Sequence, residues 1–262
     1  SSYSGKTIYN TEEQIEDSRH PVSYTLETNG YDMNNLKDIV EIPIYAIPEW
    51  TMKTSLGDYS EKAMQQFSML AYDTPETVIK ISDYNKVAAL YGNEQYSLND
   101  DEYMVLCDFE QMIDLRNEAL KQNSNIEING KTYHAKYKEC KDGFVLMSTS
   151  NMNAGIILVP DSFEIKEEYT EQYFLAANYN AETEEEKIEL NNVLAGEVDS
   201  ELFDNLSEKE INLEGMTKIS LTEASKGLST IIIFIAIYLG IVFLIASSAI
   251  LALKQLTESS DN

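Results

Sequence analysis

Few residues in this 262-residue chain stand at spacings that could do chemistry. Gly130-Lys131-Thr132 matches the tail of a phosphate-cradling loop, but that motif needs a glycine where Asn125 stands, and Asn129-Gly130 reads as a hairpin turn. His20 and His134 are solitary, with no second histidine or carboxylate at metal-ligand spacing. Glu182, Glu184, Glu185, Glu186 and Glu189 lack the glycine-turned geometry of a calcium loop and read as the solvated face of a helix. Cys107 and Cys140 are far apart and lack zinc or redox-motif spacing, which favours two buried free thiols and leaves a disulfide open in an oxidising compartment. Asn205-Leu206-Ser207 matches a glycosylation acceptor, a pattern short enough to arise by chance. No nucleophile motif or catalytic acid pair stands out, so no catalytic residue, metal ligand or cofactor is assigned, and the expectation is a protein that is not an enzyme.

The elements around these residues can be read from periodicity. Thr11 can cap a short acidic helix, Val22 to Glu27 alternates like a strand, and Pro43 and Pro48 suggest extended edge or loop structure. Val78 to Ile81 reads as a strand, followed by a helix capped by Ser82 and marked by Tyr84, Val87, Ala88 and Tyr91. The unit repeats in kind. Glu102 to Cys107 reads as a strand, Asp108 as a cap, and Phe109, Met112, Ile113 and Leu120 as a helix face. Turns at Asn129-Gly130 and Asp142-Gly143, with a last strand at Gly155 to Val159, predict an antiparallel meander over 125–159. Tyr169 to Asn178 reads as a further strand and Glu182 to Leu194 as an acidic helix ended by Gly196.

The longest signal lies near the C-terminus. Leu228 to Leu253 carries no charged residue, and a helix of that length crosses a hydrocarbon core of roughly 30 Å. Ser220 and Glu223 stand at capping-box spacing, so the span is expected to begin as a helical stalk. The predicted organisation is an acidic extracytoplasmic α+β domain at 1–220, with the meander and short amphipathic helices. A stalk follows at 221–229, then a transmembrane helix at 230–253 and the start of a cytoplasmic loop at 254–262. Ala236 and Gly240 form a small-xxx-small pair, and Ser247 and Ser248 lie further along; such residues allow close helix packing in lipid, which a lone anchor does not need. Ser1 in place of an initiator Met suggests an excised piece of something longer. Nearly all of the formal charge of -26 falls before the span, a balance that repels nucleic acid and either attracts cations or cationic peptides or, the blander reading and the favoured one over a dedicated cation site, merely keeps an extracytoplasmic domain soluble.

Several stretches resemble the FtsX-like permeases of bacterial ABC transporters, in particular the bacitracin-resistance (BceB-like) branch. They are Tyr238 to Glu258, Ile81-Ser-Asp-Tyr-Asn-Lys, Asp101-Glu-Tyr-Met-Val-Leu, Ile128-Asn-Gly-Lys-Thr-Tyr and Val159-Pro-Asp. The likeness covers 78–262; nothing specific precedes Val78. It implies other transmembrane helices of the same permease, a separate ATPase subunit, a partner sensor histidine kinase, and a cationic peptide or peptide-lipid ligand. It also implies a cell-membrane location with the N-terminal domain outside and the C-terminal tail in the cytoplasm, an orientation that the sparse lysines flanking the span do not fix. The alternative is a single-pass anchored module in which the same acidic domain binds or adheres.

Overall fold

The computed structural model describes residues 3–8, 19–68, 70–148, 150–224, 235–239 and 241–243. The chain divides into two compact units, Ser1–Ile219 and Ser220–Asn262. The first is α+β and centres on a mixed sheet of nine strands among the described residues, in the order β5-β6-β4-β7-β3-β2-β8-β1-β9.

The strands are β1 (Tyr3–Ile8), β2 (Leu36–Thr51), β3 (Pro75–Lys80), β4 (Glu102–Leu106), β5 (Asn125–Ile128), β6 (Lys131–Ala135), β7 (Ile156–Val159), β8 (Thr170–Tyr179) and β9 (Asn212–Thr217). The helices are α1 (Val22–Thr28), α2 (Met52–Leu56), α3 (Ser60–Gln66), α4 (Ile81–Tyr91), α5 (Glu110–Gln122), α6 (Glu184–Leu194) and α7 (Glu201–Glu208). Strands β4 and β7 read as continuous apolar runs because both faces of the sheet are covered. Met104, Leu106 and Leu158 pack with Ile79, Tyr84 and Val87 on one face. Tyr103, Val105, Ile157 and Val159 pack with Trp50 and Phe163 on the other.

The two strand-then-helix units, β3–α4 and β4–α5, stand where the periodicity places them. Their caps do not. Ser82 lies inside the first turn of α4, and its backbone N–H donates instead to the Asp161 carboxylate, 3.2 Å away. Phe109, not Asp108, occupies the N-cap of α5 and offers no side-chain bond, while Asp108 accepts from the Asn153 N–H at 2.7 Å. The α4 cap therefore comes from a residue about eighty positions away (161 − 82 = 79). Asp161→Ala is expected to cost about 1 kcal/mol in equilibrium denaturation and Asp161→Asn a few tenths, since Asn keeps the accepting oxygen. Equal losses for the two would show that the carboxylate does not cap α4.

The expected meander is corrected. Its first hairpin holds: β5 and β6 are antiparallel, with Asn129 and Gly130 at φ of 53° and 73° in the turn. Beyond it, β6 runs parallel to β4, and β7 pairs antiparallel with β4 and parallel with β3. Residues 144–147 form no strand. Gly143 does not take the positive φ that a tight hairpin needs. It is a glycine because a Cβ there would come within 2.7 Å of the Tyr84 hydroxyl and 3.0 Å of Leu106.

Residues 22–28 form a helix, not the strand expected, with Val22, Thr25 and Leu26 buried at helical spacing. The Glu41 side chain accepts the Ser23 N–H at 2.9 Å and the Ser23 hydroxyl at 2.6 Å, satisfying the first turn. The proline-bearing stretch is extended, but it belongs to β2, an interior strand between β3 and β8. Both prolines avoid a doubly paired position. Pro43 precedes Tyr45, the first β2 residue registered with β3, and Pro48 lies in the bulge between Ala46 and Thr51, past the last β8 partner.

Strand β1 inserts between β8 and β9 and is antiparallel to both. Tyr3 registers with Thr217 and Ile8 with Asn212, so the chain enters and leaves this unit at the same end of adjacent strands. Helix α6 carries the acidic run, with a complete Thr183/Glu186 capping box, and Gly196 follows it at φ 68°.

Residues 218–224 are helical directly after β9, so the helix begins two residues before the expected Ser220 cap. In the second unit, residues 235–239 and 241–243 are helical and exposed, Ala236 among them. Gly240, Ser247 and Ser248, and most of the Leu228 to Leu253 span, lie outside the described residues, as does the Thr11 cap. Among the described residues no helix is long and apolar enough to cross a membrane.

Candidate functional site

The densest polar chemistry in the first unit lies beneath its surface, where β3, β4, α5 and the segment before β7 meet. Strand β3 contributes Glu76 and α5 contributes Arg116, whose side chains are 4% and 3% exposed. Their pairing is bidentate: Arg116 Nη1 donates to Glu76 Oε1 and Nη2 to Oε2, the latter at 2.9 Å. Nε donates to the Ala154 carbonyl at 3.1 Å. Burial alone would pull the guanidinium down, and the Glu76 carboxylate holds it above its ordinary value. The guanidinium lies where a Cβ on Gly155 would be, so only glycine fits there.

Three further groups, Tyr103, Cys107 and Cys140, border the pair, and Asp108 follows Cys107. Burial, and then the Glu76 charge, push the Tyr103 phenol up, and its hydroxyl finds no hydrogen-bond partner among the described residues. Cys107 follows β4 and is 3% exposed. Cys140 is partly exposed, and both thiols are free. Burial also raises Asp108 above the usual carboxylate range. With Glu76 and Arg116 satisfying each other, the ion pair has no acid or base to spare for catalysis. The thiols are the groups here with chemistry still open to them.

The ion pair was not among the candidates the sequence offered, because Glu76 and Arg116 are forty residues apart and share no motif. One signal pointed to half of it: Met112, Leu115, Arg116, Ala119 and Leu120 are the buried residues of α5, so an arginine occupies an apolar stripe. Long charged side chains are almost never fully buried unless paired.

Cys107 and Cys140 lie in this cluster, and the other sequence candidates fall elsewhere. Gly130-Lys131-Thr132 lies in the β5–β6 hairpin, and Lys131 Nζ donates to the Asp100 carbonyl at 3.0 Å. His134 is exposed, with Nδ1 2.8 Å from Asn125 Oδ1, while His20 packs on Tyr24 with ring centroids 4.8 Å apart. Glu184, Glu185 and Glu189 are exposed on α6, and Glu186 accepts backbone N–H groups at its start. Among the described residues no group of three acidic, histidine or cysteine side chains is placed to hold a metal. The Asn205 side chain donates to the Asn29 carbonyl at 3.1 Å, so the amide of the acceptor pattern is engaged within the fold.

Among the described residues all tyrosines but Tyr24 and Tyr238 are buried or half-buried. Tyr3, Tyr31, Tyr59, Tyr84, Tyr103 and Tyr179 are buried, whereas Tyr24 is half exposed. The outer surface has an open cleft of about 500 Å³, lined by Lys53, Met64, Leu70, Tyr72, Asp73 and Thr74. Its lining mixes both charges with apolar groups. No family model, curated protein or solved structure gave a match to this chain.

Proposed function

We propose that this chain is the outer domain and following membrane helix of an FtsX-like permease of the bacitracin-resistance branch, with the acidic domain capturing a cationic peptide or peptide-lipid ligand and a separate subunit hydrolysing ATP. The observation that carries the reading is the pairing of β1 with β9, with Tyr3 opposite Thr217. A domain whose chain enters and leaves side by side can be carried between two neighbouring helices without disturbing either. Two stretches of the family resemblance also meet in space, since Asp161 caps the helix containing Ser82.

The capture step follows from charge. With 45 acidic against 19 basic residues, the chain concentrates cations around itself, and several of its lysines are occupied by carboxylates or carbonyls of the same fold. A cationic amphipathic peptide titrated into the intact chain in detergent should bind about tenfold or more weakly as salt rises from about 50 mM to about 500 mM, as the screening length shrinks to a few ångströms. Affinity that ignored salt would sink electrostatic capture. The permease assignment is tested separately by purification from the native membrane. A co-purifying ATPase whose turnover responds to the peptide is the expected result; an isolated chain would favour the tethered module.

A further inference from the structure

We infer that Cys107 and Cys140 form an intrachain disulfide by thiol–disulfide exchange on the folded chain, making this buried corner a redox modification site. The inference does not rest on the permease reading.

The two cysteines are brought together by the fold. Cys107 follows β4 directly, and its N–H donates to the Lys141 carbonyl at 3.0 Å, while the Lys141 N–H donates to the Val105 carbonyl at 2.9 Å. These bonds place Lys141 as a parallel bridge partner of Leu106 and lay the segment carrying Cys140 alongside the end of β4. From the other side, the Cys140 N–H donates to Asn117 Oδ1 on α5 at 2.7 Å. Both side chains pack in one apolar cluster with Leu115 and Met112. Cys140 is thus held from β4 and from α5 before any bond forms.

The chemistry suits exchange. The interaction between the two thiols draws Cys107 below the ordinary thiol range and holds Cys140 above it, and the Cys107 thiol donates to the Phe109 carbonyl at 3.8 Å. The Arg116 guanidinium favours the charged form of both. Once the pair gives up one proton it shares the other, so a single negative charge is then available to either sulfur. Cys140 is the partly exposed one and so the one an oxidant can reach.

With a small disulfide such as oxidised glutathione as the oxidant, Cys140 passes its proton to the Cys107 thiolate and attacks one of the sulfurs of the oxidant. A mixed disulfide forms, and one glutathione thiolate leaves and takes up the proton shed by the pair. Cys107 then attacks the Cys140 sulfur, forming the Cys107–Cys140 bond and expelling the second glutathione, which takes the second proton. The chain loses two electrons and two protons, and the oxidant is reduced to two thiols. The new bond closes the chain around α5 and the β5–β6 hairpin.

The test is oxidation of the native chain with a glutathione redox pair, followed by intact mass, peptide mapping and thermal denaturation. The expected product is monomeric, lighter by two hydrogens and linked between Cys107 and Cys140. Its midpoint should rise by about 5–10 °C over the reduced form, from closure of a loop of this length. Cys107→Ser should retain glutathione on Cys140, because nothing resolves the mixed disulfide, whereas Cys140→Ser should leave Cys107 unlabelled in the native state. Two thiols still titratable after oxidation, a stable glutathione adduct on the unsubstituted chain, a link between two chains, or a bond that forms only in denaturant would each overturn the inference. The mass and mapping on the unsubstituted chain decide it even if a variant fails to fold.

Discussion

Arg116→Met is expected to lower the unfolding free energy by about 3–5 kcal/mol, the range for removing one partner of a buried ion pair. The loss comes from what remains: Glu76 keeps its place at 4% exposure with no cation facing it, and the Ala154 carbonyl loses its donor. The pair itself is a weak source of net stability, because both charges had to leave water to form it. Glu76→Leu combined with Arg116→Met should therefore recover most of the loss, to within about 1–2 kcal/mol of the native chain. Urea denaturation of the four members of this cycle measures the coupling. A single substitution costing under about 1 kcal/mol would mean that water reaches Glu76.

Trp50→Ala should cost a similar amount, about 3–5 kcal/mol, for a different reason. Trp50 is fully buried in the apolar cluster on one face of the sheet. It meets Tyr103 edge-on at 5.4 Å between ring centroids and Phe163 at 6.0 Å, and its indole N–H donates to Ser55 Oγ at 3.0 Å. Truncation removes those contacts, opens a cavity and strands a buried hydroxyl at Ser55. Trp50→Phe keeps much of the volume and should lose roughly a third as much, chiefly the hydrogen bond and the outer ring. Far-UV circular dichroism during denaturation reads both variants, since the substituted residue is the sole tryptophan. Equal losses for Ala and Phe would mean that the cavity contributes little.

The parts of the fold legible in the sequence are those set by local forces. Tyr84, Val87 and Ala88 recur at helical spacing because one face of α4 is buried, and Asn129-Gly130 turns because both residues accept positive φ. The misread parts depend on distant partners. Val22, Tyr24 and Leu26 alternate like a strand, but burial at Val22, Thr25 and Leu26 and the carboxylate of Glu41 favour a helix. Asp142-Gly143 has turn composition, yet its glycine answers to the Tyr84 hydroxyl some sixty residues earlier (143 − 84 = 59). The buried polar cluster was hidden for the same reason. Glu76, Tyr103, Arg116 and Cys140 come from separate stretches, and only the register of β3, β4 and the Lys141 bridge brings them together.

The pairing of β1 with β9 also sets how this unit answers a pull. Tyr3 and Thr217 form the outermost pair of the ladder, and the strands run in opposite directions from there to Ile8 and Asn212. A force drawing residue 3 away from residue 217 therefore acts across the ladder at one end and peels its bonds in turn, a load that each bond meets alone. Tension along the strands would have to shear all six registered pairs together. The seam between β1 and β9 is the place where a modest separation of the two chain ends would open the sheet first.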